Sequence, residues 1–208
     1  MSRRLPTGID VLDRKLSGGI PAGSVVALSA APASQSELLL YELTAPRETL
    51  YLTTERSVEA VRDAFERTTA PTGTPEIEQV ASDAPLDEVS RLVETVPNGA
   101  TVIVDPVDAL ERRDPARYRR FMNGLQTAMV NTESVAVLHC LAGNDPPAGR
   151  DLTEYMADVV FSLETTISGE SIENRLAVPK FRGGRALSET IKLELAERVR
   201  IDTSRDIA

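Results

Sequence analysis

Short apolar, β-branched runs alternate with amphipathic segments along most of the chain. SVVALSA (24–30), TLYLTT (49–54), TVIVD (101–105), SVAVLHC (134–140) and ADVVFSL (157–163) are each bounded by polar or turn residues. Runs of this length and composition predict strands buried on both faces. Between them, SVEAVRDAFERT (57–68), PLDEVSRLVETV (85–96) and PARYRRFMNGLQTAMV (115–130) repeat their apolar positions at helical spacing. Strand and helix in alternation predict a doubly wound α/β sheet, mostly parallel.

The pattern changes after residue 163. SIENRLAVPKF (171–181) and ALSETIKLELAE (186–197) alternate apolar and polar residues about the turn RGGR (182–185). Period-two alternation about a glycine turn predicts an antiparallel hairpin or meander at the C-terminal edge of the sheet. No internal repeat or low-complexity linker interrupts the chain. The expected organisation is one domain over 1–208: a lead-in segment (1–23), an α/β core (24–163), then the C-terminal β-meander and tail (164–208). Within that tail Val199 and Ile201 are placed to extend an edge strand.

Composition narrows the setting. No run approaches the ~18 apolar residues of a membrane span, and MSRRLPTGID lacks the apolar stretch of a secretory signal. One cysteine (Cys140) and one histidine (His139) cannot build a disulfide framework or a metal cage by themselves. A cytoplasmic protein with no metal is expected. The net charge of −9 rests on 32 acidic against 23 basic residues, and Lys15, Lys180 and Lys192 are the lysines. A surface this acidic, poor in lysine and free of tryptophan, suggests a salt-rich cytoplasm, where screening weakens carboxylate repulsion. It also argues against a broad nucleic-acid grip.

The stretch SVVALSAAPASQSELLL (24–40) has the outline of strand, tight turn and helix, where many nucleotide-binding proteins grip phosphate. This turn has no glycine and no lysine. Ser34-Gln35-Ser36-Glu37 instead has the S-x-x-E spacing of a capping box, in which Ser34 and Glu37 satisfy each other's amides.

Four stretches carry a family resemblance. LPTGIDVLDRKLSGGIPAGSVVALS (5–29) resembles the start of RecA-type ATPases of the KaiC-like and RadA-like branch. YLTTERSVEAV (51–61) resembles that branch's second strand, TVIVDPVDALE (101–111) its Walker B strand, and RLAVPKFRGGR (175–185) its strand and basic turn near the C-terminus. The acidic surface and VRIDTSRDIA (199–208) are similar to small KaiC-like proteins of halophilic archaea. The resemblance implies a three-layer RecA-like fold. Aligned on it, the phosphate-loop glycines fall on Ala30, Ala33 and Gln35, the lysine on Ser36 and the magnesium-binding threonine on Glu37. Left-handed geometry costs a non-glycine residue roughly 1–2 kcal/mol. A unit charge 4 Å away is worth roughly 4 kcal/mol at an effective dielectric near 20, and Glu37 would bring the wrong sign. Ordinary MgATP binding is therefore not expected, and no cofactor is; MgATP would be the ligand of a divergent ATPase reading.

What remains of the family pattern is sparse. Glu55 matches the position that would activate water, followed by Arg56 in place of a second acid, and Asp105 matches the Walker B aspartate. Both read as remnants. Asp108 and Glu111 read as residues that start and decorate the next helix, and neither His139 nor Cys140 earns a role. Lys180 and Arg182 match residues that, in KaiC-like rings, reach from one subunit to its neighbour's nucleotide; the alternative is a solvated basic turn. The function expected is a pseudo-ATPase that regulates or scaffolds a protein partner, either itself or a KaiC-like paralogue. The alternatives are a divergent ATP-binding signalling protein and a RadA-like DNA-repair accessory. The loop 142–150, with a single arginine, is a weak DNA gripper.

Overall fold

The structure, a computed structural model, describes residues 3–81 and 83–202. The lead-in segment pairs β1 (Arg4–Leu5) with β2 (Ile20–Pro21), antiparallel, around the short helix α1 (Asp10–Lys15). The core then follows as β3 (Val25–Ala30), α2 (Glu37–Thr44), β4 (Thr49–Thr53), α3 (Val58–Arg67), β5 (Glu76–Gln79), α4 (Pro85–Val93) and β6 (Thr101–Asp105). After it come α5 (Asp108–Glu111), α6 (Pro115–Thr132), β7 (Val135–Leu141) and α7 (Arg150–Met156). The chain ends in β8 (Val159–Ser168), β9 (Ser171–Phe181), β10 (Ile191–Leu195) and β11 (Val199–Ile201).

All strands from β3 onward join one nine-stranded sheet in the order β11-β10-β9-β8-β3-β7-β6-β4-β5. From β8 to β5 every pairing is parallel, and from β8 to β11 every pairing is antiparallel. The predicted α/β class and the antiparallel C-terminal edge are both present.

Successive side chains of a strand point to opposite faces, and the two cores divide accordingly. Val26, Leu28, Tyr51, Ile103, Val137 and Phe161 pack with α2 and the lead-in segment. Val25, Ala27, Leu52, Val102, Val104 and Leu138 pack on the other face with α4 and α6. Helices cover both faces, which is why these strands read as continuous apolar runs. Helix α2 is buried along Leu38–Thr44, held between the sheet and residues such as Leu12 and Val199.

Local chemistry sets several helix starts. Ser57 accepts from the Ala60 amide at the head of α3, and Asp114 accepts from Ala116 and Arg117 at the head of α6. Each satisfies amides that a first helical turn leaves without partners.

The structure departs from the sequence reading in three places. β9 pairs with β10 as expected, but its tighter partner is β8, across Gly169-Glu170. The polar edge strand β5 and helix α7, which begins at the end of the presumed loop 142–150, were not foreseen. The capping box is not formed: Ser34 Oγ donates to the Ala31 carbonyl, and α2 begins two residues later with Ser36 as its cap residue. Residues 203–208, which include Ser204-Arg205-Asp206, lie outside the described residues.

Candidate functional site

The site lies at the C-terminal ends of the parallel strands, under the start of α2. Register and parity build it. Val104 of β6 pairs with Leu138 of β7, so the next residues, Asp105 and His139, are neighbours across the two strands. Asp105 shares the parity of Ile103, and His139 that of Val137, so both face α2. Tyr51 of β4 shares that face and reaches up from two residues before Thr53, which pairs with Asp105.

These groups form one hydrogen-bonded chain. Ser36 Oγ lies 3.1 Å from His139 Nε2, and His139 Nδ1 lies 2.6 Å from Asp105 Oδ1. The Tyr51 hydroxyl donates to Asp105 Oδ2 at 2.5 Å. The chain crosses β3's turn, β7, β6 and β4, which are consecutive in the sheet. Ser36, His139, Asp105 and Tyr51 are all buried.

Burial pushes the Asp105 carboxyl up, but its bond and electrostatic attraction to His139, the Tyr51 hydroxyl and Arg56 together bring it below the ordinary carboxylate range. Burial first, then the Asp105 charge, raises the Tyr51 phenol well above its usual value. Asp105 is thus an anion fed by two donors. In the tautomer that donates from Nδ1 to Asp105, Nε2 can accept from the Ser36 hydroxyl.

The turn that leads into Ser36 contains no left-handed residue. Ser17 and Glu133 are the non-glycine residues at positive φ among those described, and both lie elsewhere. Ala30 is buried at the end of β3 and its carbonyl accepts from the Ala142 amide; Ala33 and Gln35 are exposed, and Glu37 is half-buried at the head of α2. Of the positions aligned with a phosphate loop, Ser36 joins the buried chain. Glu55 is exposed and stands outside it. Arg56 donates to the Ala60 carbonyl and to Tyr41.

Asp108 and Glu111 do not decorate a helix surface: both are buried. Arg150 donates to both Glu111 oxygens at 2.9–3.0 Å, pairs with Asp108 at 3.0 Å and donates to the Leu141 carbonyl. Thr153 Oγ1 adds a bond to Glu111, and Tyr118 a bond to Thr153. This network ties α7 to α5 behind the site. Cys140 faces the opposite core, and burial raises its thiol well above the ordinary value, which leaves it inert.

Lys180 and Arg182 turn to their own chain. Lys180 Nζ donates to the carbonyls of Glu154 and Tyr155, and Arg182 to those of Tyr155 and Met156. Arg182 also pairs with Asp158 at 3.5 Å. Both cations sit on the C-terminal carbonyls of α7, where the helix dipole favours positive charge.

Among the described residues no group of three or more His, Cys, Asp or Glu is arranged to hold a metal, and no helix is long and apolar enough to cross a membrane. His139's place carries little sign in the sequence. Its signal was indirect, since it needed both the parity of β7 and the adjacency of β6 and β7.

Three likenesses place this geometry among known proteins. A family described as of unknown function (DUF7125) matches residues 4–208. The DNA repair protein RadA of Mycobacterium tuberculosis, in strains CDC 1551 and H37Rv, is 31% identical over 183 residues, 81% of this chain. The chain spans 37% of the length of those relatives. The crystal structure of the KaiC-like protein PH0186 from Pyrococcus horikoshii OT3 superposes with a TM-score of 0.76 at 16% identity, covering 96% of this chain and 100% of that one.

Proposed function

The chain belongs to the family of unknown function DUF7125 and has a RecA-like fold of the KaiC/RadA-like kind, and on that footing we propose that it is a pseudo-ATPase. In this reading it binds no MgATP and works as a regulatory or scaffolding partner in signalling, of itself or of an intact KaiC-like paralogue. The observation that carries the reading is the buried chain Ser36–His139–Asp105–Tyr51. Asp105, the Walker B position, is buried with each carboxylate oxygen held by a group of its own protein, an arrangement that turns it toward His139 and Tyr51 rather than toward a magnesium site. Ser36 takes the place of a lysine that would meet the phosphates, and its hydroxyl is bound to His139. The residues present do not fit a magnesium–nucleotide complex.

Lys180 and Arg182 are the partner-facing candidates. They cap α7 in this chain, and meeting a neighbouring subunit would require them to exchange those carbonyls for its groups. The acidic, lysine-poor composition supports a salt-rich cytoplasm as the setting.

A RadA-like accessory role at DNA is favoured by the 31% identity to that DNA repair protein. Against it stands Arg150, the one arginine of 142–150, which is spent on buried carboxylates. The test of the main reading is equilibrium dialysis against radiolabelled ATP with magnesium, in molar KCl. Retention no greater than that of a non-binding control is expected, and saturable uptake near one nucleotide per chain would refute the reading.

A further inference from the structure

We propose that Ser36, His139 and Asp105 form an acyl-transfer relay in which Ser36 is a nucleophile toward small activated esters. This goes beyond the pseudo-ATPase reading and rests on it in one respect, that no phosphate occupies the turn 30–36. A serine hydroxyl is a weak nucleophile until an adjacent base takes its proton and a third group orients that base. All three relations are present: Ser36 Oγ to His139 Nε2 at 3.1 Å, His139 Nδ1 to Asp105 Oδ1 at 2.6 Å, and Asp105 held in turn by the Tyr51 hydroxyl. Asp105 fixes the imidazole tautomer that leaves Nε2 free to accept. Tyr51 acts through Asp105 as a positioning residue.

The placement is independent support. Ser36 lies between the central strand β3 and α2, in ordinary helical backbone and without the strained turn of α/β-hydrolases, but the three residues follow the chain order serine, aspartate, histidine of that group. There the amide of the residue after the nucleophile stabilises the oxyanion; here that residue is Glu37, the first of α2. The sheet brings the members together by adjacency, since β3, β7 and β6 are consecutive.

Ser36 is only 3% exposed, so the electrophile must be small and the turn above it must yield. Pro32, Ala33 and Gln35 in that turn are exposed, and Ser34 bonds within it, from both its amide and its hydroxyl, to the Ala31 carbonyl. In the reaction the Ser36 Oγ–carbon bond forms as the ester carbon–oxygen bond breaks. The hydroxyl proton passes to Nε2 and then to the departing alcohol. Water, deprotonated by the same nitrogen, then cleaves the acyl-serine and releases the acid.

The test uses the full chain with diisopropyl fluorophosphate, whose phosphorus bonds to Oγ as fluoride leaves, followed by peptide mapping by mass spectrometry. One adduct on Ser36 is expected, absent from Ser36→Ala and slowed by roughly two to four orders of magnitude in Asp105→Asn, where the tautomer is no longer fixed. Circular dichroism checks that the variants are folded. The wild-type chain labelled in urea gives a second arm that does not depend on them: Ser36 must lose its reactivity when the relay is dispersed. No Ser36 adduct on the folded protein, or one that persists in urea or is undiminished by Asp105→Asn in a folded variant, overturns the proposal. Nucleotide retention in dialysis would instead strike the pseudo-ATPase reading, so the two failures are distinguishable.

Discussion

Asp105 Oδ1 lies 2.6 Å from His139 Nδ1, and its other oxygen accepts from Tyr51. Asparagine at this position offers one acceptor to two donors, so Asp105→Asn leaves a buried donor unmatched. The expected cost is about 1.5–3 kcal/mol by urea denaturation at neutral pH. The pH dependence has a definite sign. The folded-state pKa of Asp105 is lowered, so its contribution is present above the unfolded carboxylate value and lost as pH falls through the lower folded value. Wild type and variant should differ most near neutrality and converge in acid. A gap that widened on acidification would contradict this assignment.

Arg150 holds Glu111, whose side chain is fully buried, with Asp108 alongside. Removing the cation strands buried negative charge, so Arg150→Met should cost about 3–5 kcal/mol. Replacing both partners, Glu111→Leu with Arg150→Met, should cost less than the sum of the single changes. A double-mutant cycle in guanidinium chloride reads this directly; additive costs would mean that the pair is not coupled.

Glu42 is buried in α2, and its Oε1 accepts from the Val199 amide at 2.6 Å, pinning the edge strand β11. Burial raises its pKa, with the Val199 bond and Arg198 opposing. The folded protein therefore binds this proton more tightly than the unfolded chain. That contribution is full below the unfolded value and lost as pH rises through the raised folded value. Glu42→Gln keeps an acceptor without the charge. It should melt at or above wild type at neutral pH and show a flatter melting profile between acid and neutral pH. Glu42→Ala leaves the Val199 amide unsatisfied and should cost about 1–3 kcal/mol.

Lys180 and Arg182 contribute to stability chiefly as caps of α7, with the Arg182–Asp158 pair beside them. Alanine at either position should cost about 0.3–1 kcal/mol, read as a small drop in Tm. In the scaffolding account the double variant stays folded yet loses association with itself or with an intact KaiC-like paralogue, as measured by sedimentation velocity. Undiminished association would remove these two residues from the partner surface.

How much was legible follows from what each residue faces. The five buried parallel strands were plain because both faces of each are apolar. β5 was not, because EIEQ is polar at three of four positions and lies on the sheet edge. The β8–β9 hairpin was hidden for a related reason: beyond Leu163 and before Asn174 its residues are largely solvent-facing, and the pair Ile167 and Ile172 is exposed. The glycines of RGGR mark a turn, but the tighter hairpin turns at Gly169. At the site, Asp105 and Ser36 were located by alignment to a family pattern. His139 is not legible there, because a lone histidine carries no spacing signal and strand adjacency is a property of topology. The capping-box spacing fits Ser34 and Glu37, but α2 starts two residues later, and Ser36 is drawn to His139 instead.

The central claim, that the site is closed to nucleotide by its own polar chain, is tested most directly by thermal melting in molar KCl with and without millimolar MgATP. A ligand present at a hundredfold over its Kd stabilises a fold by about 2.7 kcal/mol, which for a domain of this size is a rise on the order of 5–10 °C. The account predicts coincident melting curves for ATP, ADP and GTP. A rise of several degrees with MgATP would contradict it and would mean that Ser36 and Asp105 release His139 and Tyr51 to take up the nucleotide.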